Sequence, residues 1–317
     1  MTPPDDWLRV DSEWPAMVAA KQAALGGSDS HRPAENIMLA VPCDSGTQRR
    51  RLAAIGRVAG NLAASEAGRR LGMKRTRTGV AFGAAGYRCE IARDEFRLHA
   101  DQAEAAPVVR LLETGVGASG LLGALAMSLQ EDLVLMEQAP DGAPRAAVFH
   151  VSFPSAWNPA AKLGQDLLGL HEPVADNALL QSAAPRLGKA LVEKGPFVRW
   201  VWTVTADARW RAWPPSSAIF PEGTAQAARG GVAGAVGPEP VEPAGAHPLY
   251  FRLERQTTMP LGDGYGLFLI RVQVRPLADV LAQPGRLAQL QASLRSMSAA
   301  MVSYKSLGAV RDRVLQM

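Results

Sequence analysis

Apolar residues fall at helical spacing soon after the start of the chain. Trp14, Met17, Val18, Lys21 and Leu25 share one face, Asp11 or Ser12 can cap it, Pro15 fits the first turn, and Gly26-Gly27 stops it. A polar loop from 27 to 35 leads to Ile37-Met38-Leu39-Ala40-Val41, a short strand. The alanine-rich region 49–72 predicts helix, whereas 80–99 mixes loop and strand signals. Leu121 to Leu135, Leu-Leu-Gly-Ala-Leu-Ala-Met-Ser-Leu-Gln-Glu-Asp-Leu-Val-Leu, reads as a buried helix, followed by a turn at Ala139-Pro140-Asp141-Gly142-Ala143-Pro144. Ala147, Phe149, Val151 and Phe153 alternate with Val148, His150 and Ser152, which is strand spacing. A helix is expected from Ala160 to Leu170, ended by Pro173.

Phe197 to Val204 is a strongly β-prone run. Residues 221–248, rich in Gly, Ala and Pro, predict a flexible surface loop. Tyr250 to Thr257 and Tyr265 to Val274 then read as strands joined through Pro260 and Gly262-Asp263-Gly264, a hairpin. Leu287, Leu290, Leu294 and Met297 mark a C-terminal helix. Helices at both ends of a strand-rich middle, with one clear antiparallel pair, predict an α+β fold rather than alternating βα units.

Composition narrows the function classes. With 317 residues, 47% hydrophobic and 20% charged, the chain has the make-up of a globular protein, enough for one large domain or two ordinary ones. Two cysteines, Cys43 and Cys89, cannot build a disulfide scaffold, a four-cysteine zinc site or an iron–sulfur cluster. The polar start Met1-Thr2-Pro3-Pro4-Asp5-Asp6 does not read as a secretory signal, and no apolar run reaches membrane-spanning length, so a soluble cytoplasmic protein is expected. The net charge of +4 is small, and the basic stretch around Arg49-Arg50-Arg51 and Lys74-Arg75-Thr76-Arg77 lies in a segment, 44–80, without one aromatic side chain for base stacking. No nucleic-acid partner is expected.

Three features carry candidate chemistry. Gly115-Val116-Gly117-Ala118-Ser119-Gly120 spells a dinucleotide-binding loop, a reading that needs Val108 to Leu112 to be a strand. His150 falls on the more polar face of its strand, where a surface role is expected; His31 and His247 lie in loop-like sequence. His171, at the end of the Ala160–Leu170 helix and two turns after Gly164, sits on an otherwise apolar face. It reads either as a helix-end imidazole bonded to the last carbonyls or as an axial ligand to a flat cofactor. Finally, Arg252, Glu254 and Gln256 share one face of their strand, with Leu253, Arg255 and Thr257 on the other. Such charges suit an exposed edge with cross-strand ion pairs or the polar wall of a pocket; the residues alone favour the edge.

Six stretches together resemble the haem-dependent oxidative N-demethylase family, at its haem-carrying alpha subunit. They are Asp6 to Asp11; Leu129-Gln130-Glu131-Asp132-Leu133; Phe153-Pro154-Ser155-Ala156-Trp157-Asn158-Pro159 with Lys162-Leu163-Gly164; Leu170-His171-Glu172-Pro173-Val174; Arg252-Leu253-Glu254-Arg255-Gln256-Thr257; and Tyr304-Lys305. The segment 43–105 departs from the family, as do Ala175 and Met259-Pro260-Leu261. The resemblance implies a single domain over 1–317 with a PAS-like curved antiparallel sheet flanked by N- and C-terminal helices, holding haem b without covalent attachment. It implies oxidative removal of a methyl group from a small amine, with dioxygen as oxidant and formaldehyde as co-product. Electrons would come from NADPH through a separate flavin and iron–sulfur partner.

His171 is then the implied iron ligand, with Cys89 as the runner-up. Gly164, Lys162 and Trp157 are the implied haem-contacting residues, Lys162 toward a propionate. Arg252, Glu254 and Gln256, with Arg255 beside them, are the implied catalytic wall. A haem sensor or other small-molecule-binding module is the main alternative, and a nucleotide-dependent enzyme built on Gly115 to Gly120 is the third.

Overall fold

In the computed structural model, residues 7–26, 37–92, 95–155, 157–171, 178–210 and 248–317 are described. Ten strands lie among them: β1 (Met38–Ala40), β2 (Met73–Arg75), β3 (Gly79–Phe82), β4 (Tyr87–Ile91), β5 (Phe96–Ala100), β6 (Asp132–Gln138), β7 (Pro144–His150), β8 (Phe197–Thr205), β9 (Tyr250–Gly262) and β10 (Tyr265–Pro276). They form two antiparallel sheets, of order β1-β7-β6-β10-β9-β8 and β2-β3-β4-β5. With helices before, between and after the strands, the fold is α+β, as the pattern predicts.

The large sheet is built around the β9–β10 hairpin, whose turn takes Gly262, Asp263 and Gly264 through positive φ. Residues paired directly across strands share a face. Leu133, Leu135, Met259, Leu267 and Leu269 point into the main core, where they join Ile55 and Leu62 of the helix Ser45–Ala64 and Leu122 and Leu125 of the helix Ser119–Ala126. Asp44 caps the first of these helices, its carboxylate accepting from Thr47 N at 2.8 Å. The opposite face carries Phe268, Ile270 and Val272 beside Thr258, Gln256 and Glu254. Helix Ala178–Glu193 lies against part of it, with Val192 in the same cluster as Val134, Met136 and Phe149. The helices Leu277–Leu281, Arg286–Ser296 and Gly308–Leu315 close a separate small core around Val204, Leu249 and Leu294.

Helix Trp14–Leu25 buries Met17, Val18, Lys21 and Leu25, the face expected from the sequence. Several other expectations are corrected. The run 121–135 is helical only to Ala126, then turns, and its second part is β6. The break falls at the polar stretch Ser128 to Asp132, and the short apolar pieces on either side carry no period that separates helix from buried strand. Val108 to Leu112 is helix (Ala106–Glu113), so no strand precedes Gly115 to Gly120 and the dinucleotide reading fails. The expected helix from Ala160 to Leu170 is two short helices, Pro159–Lys162 and Leu167–Leu170. Gly164 separates them at φ +76°, and its N–H donates to Ala146 O of β7 at 2.8 Å while Ala146 N donates back to Gln165 O at 2.9 Å. His150 is wholly buried rather than at the surface. The segment Arg252 to Thr257 is no exposed edge, since β9 lies between β8 and β10. The expected loop 221–248 falls, except for Pro248, outside the described residues, as do His31, His247 and residues 172–177. No helix among the described residues is long and apolar enough to cross a membrane.

Candidate functional site

One face of β9 presents Arg252, Glu254 and Gln256 in the interior, at 3%, 8% and 8% exposure. These buried polar groups are tolerated because each is bonded. Gln256 Nε2 donates to Glu254 Oε2 at 2.7 Å, and Gln256 Oε1 accepts from Arg199 Nε at 2.6 Å. Arg199 stands directly across from Gln256 in β8, which puts the two side chains on one face. Arg252 acts as a clamp. Its Nε donates to Ser155 Oγ at 2.7 Å, Nη1 to Arg209 O at 2.9 Å, and Nη2 to Trp210 O at 2.5 Å and Phe153 O at 3.4 Å. All three guanidinium nitrogens are engaged, so Arg252 fixes the loops at 153–155 and 209–210 against the sheet.

His171 caps the C-terminal end of the helix Leu167–Leu170, whose start is capped by Asp166. Its Nδ1 is 2.8 Å from Leu167 O, a carbonyl that can only accept, so Nδ1 carries the proton. Nε2 then keeps its lone pair and accepts from Arg199 Nη2 at 3.0 Å. Burial pushes the imidazole pKa below its ordinary value against the Leu167 bond, and the nearby Arg199 and Lys162 cations push the same way. Because a guanidinium can only donate and a carbonyl can only accept, these two bonds put one proton on Nδ1 and none on Nε2. Contacts run unbroken from His171 through Arg199 and Gln256 to Glu254.

Glu254 lies in a cationic neighbourhood. Arg199, Arg252 and Lys305 all feel its charge, and beside it the Tyr304 hydroxyl pKa is raised, first by burial and then by Glu254. Lys305 donates to Trp202 O at 2.8 Å. The apolar floor nearby is aromatic: Phe153 and Trp210 meet at 5.8 Å between ring centres, and Trp157 packs against Phe149 at 6.4 Å. Trp157 thus belongs to the lining of this face.

The other expected residues fall as follows. Lys162 Nζ donates to Gly169 O at 2.7 Å, tying the two short helices together. Gly164 is a turn glycine, and a Cβ there would meet only Val41 Cγ2 at 3.5 Å, so it provides a backbone conformation rather than close approach to His171. Arg255 points to the opposite face, where Nη1 donates to Trp7 O at 2.8 Å, and does not join the others. Cys89 is buried in β4 of the small sheet, and burial pushes its thiol up to about 12, so it stays protonated and is no thiolate donor. Arg199, which completes the cluster, was missed by the sequence reading. The β8–β9 register is what brings it to Gln256, and no local signal in Phe197 to Val204 announces it.

Residues 92–315 match the haem-dependent oxidative N-demethylase, alpha subunit-like family. The chain belongs to this family. The matched region holds His171, Arg199 and the whole β9 wall, and it leaves out most of the 43–105 segment that departs from the family pattern. The family description couples haem dependence to oxidative N-demethylation and names an alpha subunit, which points to an oxidoreductase working with a partner. A comparison with curated proteins finds no match.

Proposed function

We propose that the chain is a haem b-binding oxidoreductase subunit that removes a methyl group from a small amine. The observation that carries this reading is the fixed tautomer of His171: a neutral imidazole, its Nδ1–H held by Leu167 O and its Nε2 lone pair turned toward the Glu254 cluster. A haem-ligating histidine needs these features, with the distal nitrogen's proton held by a carbonyl. The surroundings fit the rest of the group. Aromatic side chains at Phe153, Trp157 and Trp210 suit a flat macrocycle, and Arg199 and Lys305 suit its carboxylates. Counted from β6 to β10, the strand order is 2-1-5-4-3, and this supports the PAS-like reading of the sheet.

Bound haem would supply dioxygen activation: one dioxygen, two electrons and two protons turn an N-methyl amine into the demethylated amine, formaldehyde and water. The protein's own residues bind and orient. Glu254 holds the substrate ammonium, and Gln256 fixes the carboxylate through its 2.7 Å bond. Arg252 keeps the wall rigid. With only Cys43 and Cys89 the chain cannot ligate a four-cysteine cluster, so an iron–sulfur electron donor would be a separate protein. The resemblance to the family points to NADPH as the source and to flavin and iron–sulfur partners as the route. The test is spectroscopic. Purified protein reconstituted with haem should show a Soret band that is shifted or lost in His171→Ala, and should release formaldehyde from a methylated amine when reductant is supplied. An unchanged Soret band in His171→Ala would sink the assignment.

A further inference from the structure

Arg199 belongs to no motif, yet its guanidinium fills the one position on His171 that matters for coordination. With Nδ1 protonated, the imidazole has a single lone pair, on Nε2, and Arg199 Nη2 donates to it at 3.0 Å. A donor and a metal cannot share that lone pair. We propose that Arg199 is a displaceable occupant of the His171 coordinating nitrogen, and that haem loads by pushing its guanidinium off Nε2. The inference rests on the reading of His171 as the axial ligand.

Two further observations make displacement feasible. Arg199 lies on β8, the edge strand of the large sheet among the described residues, and is an exposed residue although burial partly desolvates its guanidinium. Its second bond, from Nε to Gln256 Oε1 at 2.6 Å, uses a different nitrogen. The head can therefore turn away from His171 and stay tethered to the wall, close to Glu254. Between Leu167 O on Nδ1 and Arg199 on Nε2, the imidazole is held at both nitrogens. On loading it becomes a free cation beside an incoming carboxylate-bearing ring. Arg199 is thus a positioning residue with a cost: loading must break a bond made by a charged donor.

The experiment compares haem-free wild type with Arg199→Ala and Arg199→Gln. Two readouts are used: the rate of Soret appearance on mixing with haem, and the ¹⁵N shift of His171 Nε2 before haem is added. Removing the occupant should speed loading about tenfold, the scale of one hydrogen bond from a charged group. The Nε2 shift should move toward that of an unbonded lone pair. Loading that is slower than or equal to wild type in both variants, or an unmoved Nε2 shift, overturns the proposal. His171→Ala separates the two failures. If its Soret band is unchanged, the ligand assignment has failed; if that band shifts while the Arg199 variants load no faster, only the displacement has failed.

Discussion

Lys21 Nζ lies 3.3 Å from Asp132 Oδ1, and neither side chain reaches solvent. The lysine sits on the apolar face of the first helix and also donates to Ala126 O at 3.2 Å and to Glu131 O. Asp132 opens β6 and accepts from Phe153 N at 2.7 Å. The pair therefore joins the N-terminal helix, β6 and the loop carrying Phe153 at one buried point. Cutting one partner strands the other charge out of water, so Lys21→Met or Asp132→Asn should each lower unfolding free energy by about 3–5 kcal/mol. Changing both together should recover part of the loss. Urea denaturation of the four proteins measures the coupling.

The two faces of β9 predict different phenotypes from adjacent residues. Glu254 faces the candidate site, so Glu254→Gln should raise the KM for the amine while leaving the Soret band in place. Arg255 faces the N-terminal segment through Trp7 O, so Arg255→Ala should cost about 1–3 kcal/mol of stability and leave that KM unchanged. Formaldehyde release against amine concentration, with thermal melts alongside, tests both. Equal KM effects from the two substitutions would mean that the face assignment is wrong.

That contrast bears on what could be read from the sequence. The hairpin was legible because Gly262-Asp263-Gly264 and the flanking alternation are local signals. The period-two split of Arg252, Glu254 and Gln256 from Arg255 was legible too. Their burial was not, because it depends on β8 and β10 covering both edges. The link from His171 to the wall runs through Arg199, which depends on strand register across more than fifty positions. Two of the other resembling stretches turn out to be joined structurally: Asp11 N donates to Gln130 Oε1 at 3.1 Å, Gln130 Nε2 donates to Asp11 Oδ1 at 2.8 Å, and Arg271 Nη2 donates to Asp11 Oδ2 at 2.7 Å. Burial raises the Asp11 pKa, but these bonds, with one from Glu13 N, outweigh it and hold the carboxyl below its ordinary value. A linear motif does not distinguish such a latch from chemistry.

Gly164 offers a test of the broken helix. A continuous helix would accept alanine there, and gain from it. At φ +76° alanine is strained, although its Cβ would meet nothing closer than 3.5 Å. Gly164→Ala should therefore destabilise by about 1–2 kcal/mol, and Gly164→Asn by less, since asparagine tolerates the left-handed region better. A rise in melting temperature for Gly164→Ala would contradict the two-helix arrangement.

The buried His150 sets a pH dependence with a definite sign. It stands on β7 between β1 and β6, with Met38 and Leu133 as its cross-strand partners, and its Nε2 is 3.3 Å from Ser152 Oγ. Burial, with Lys21 as the nearby cation, drops its pKa well below 6.5, so the folded protein keeps it neutral. The unfolded chain takes up a proton below about pH 6.5. Across that window the unfolded state binds more protons, so stability falls as pH falls. Glu131 works the other way. Burial raises its pKa, so its contribution is lost as pH rises through the folded value and grows on acidification. The His150 part must therefore be read as a difference. Between pH 7 and 5.5 wild type should lose about 1 kcal/mol more than His150→Gln, which carries no titrating ring. Urea midpoints at the two pH values measure it, and equal losses in the two proteins would show that His150 is protonated in the folded state.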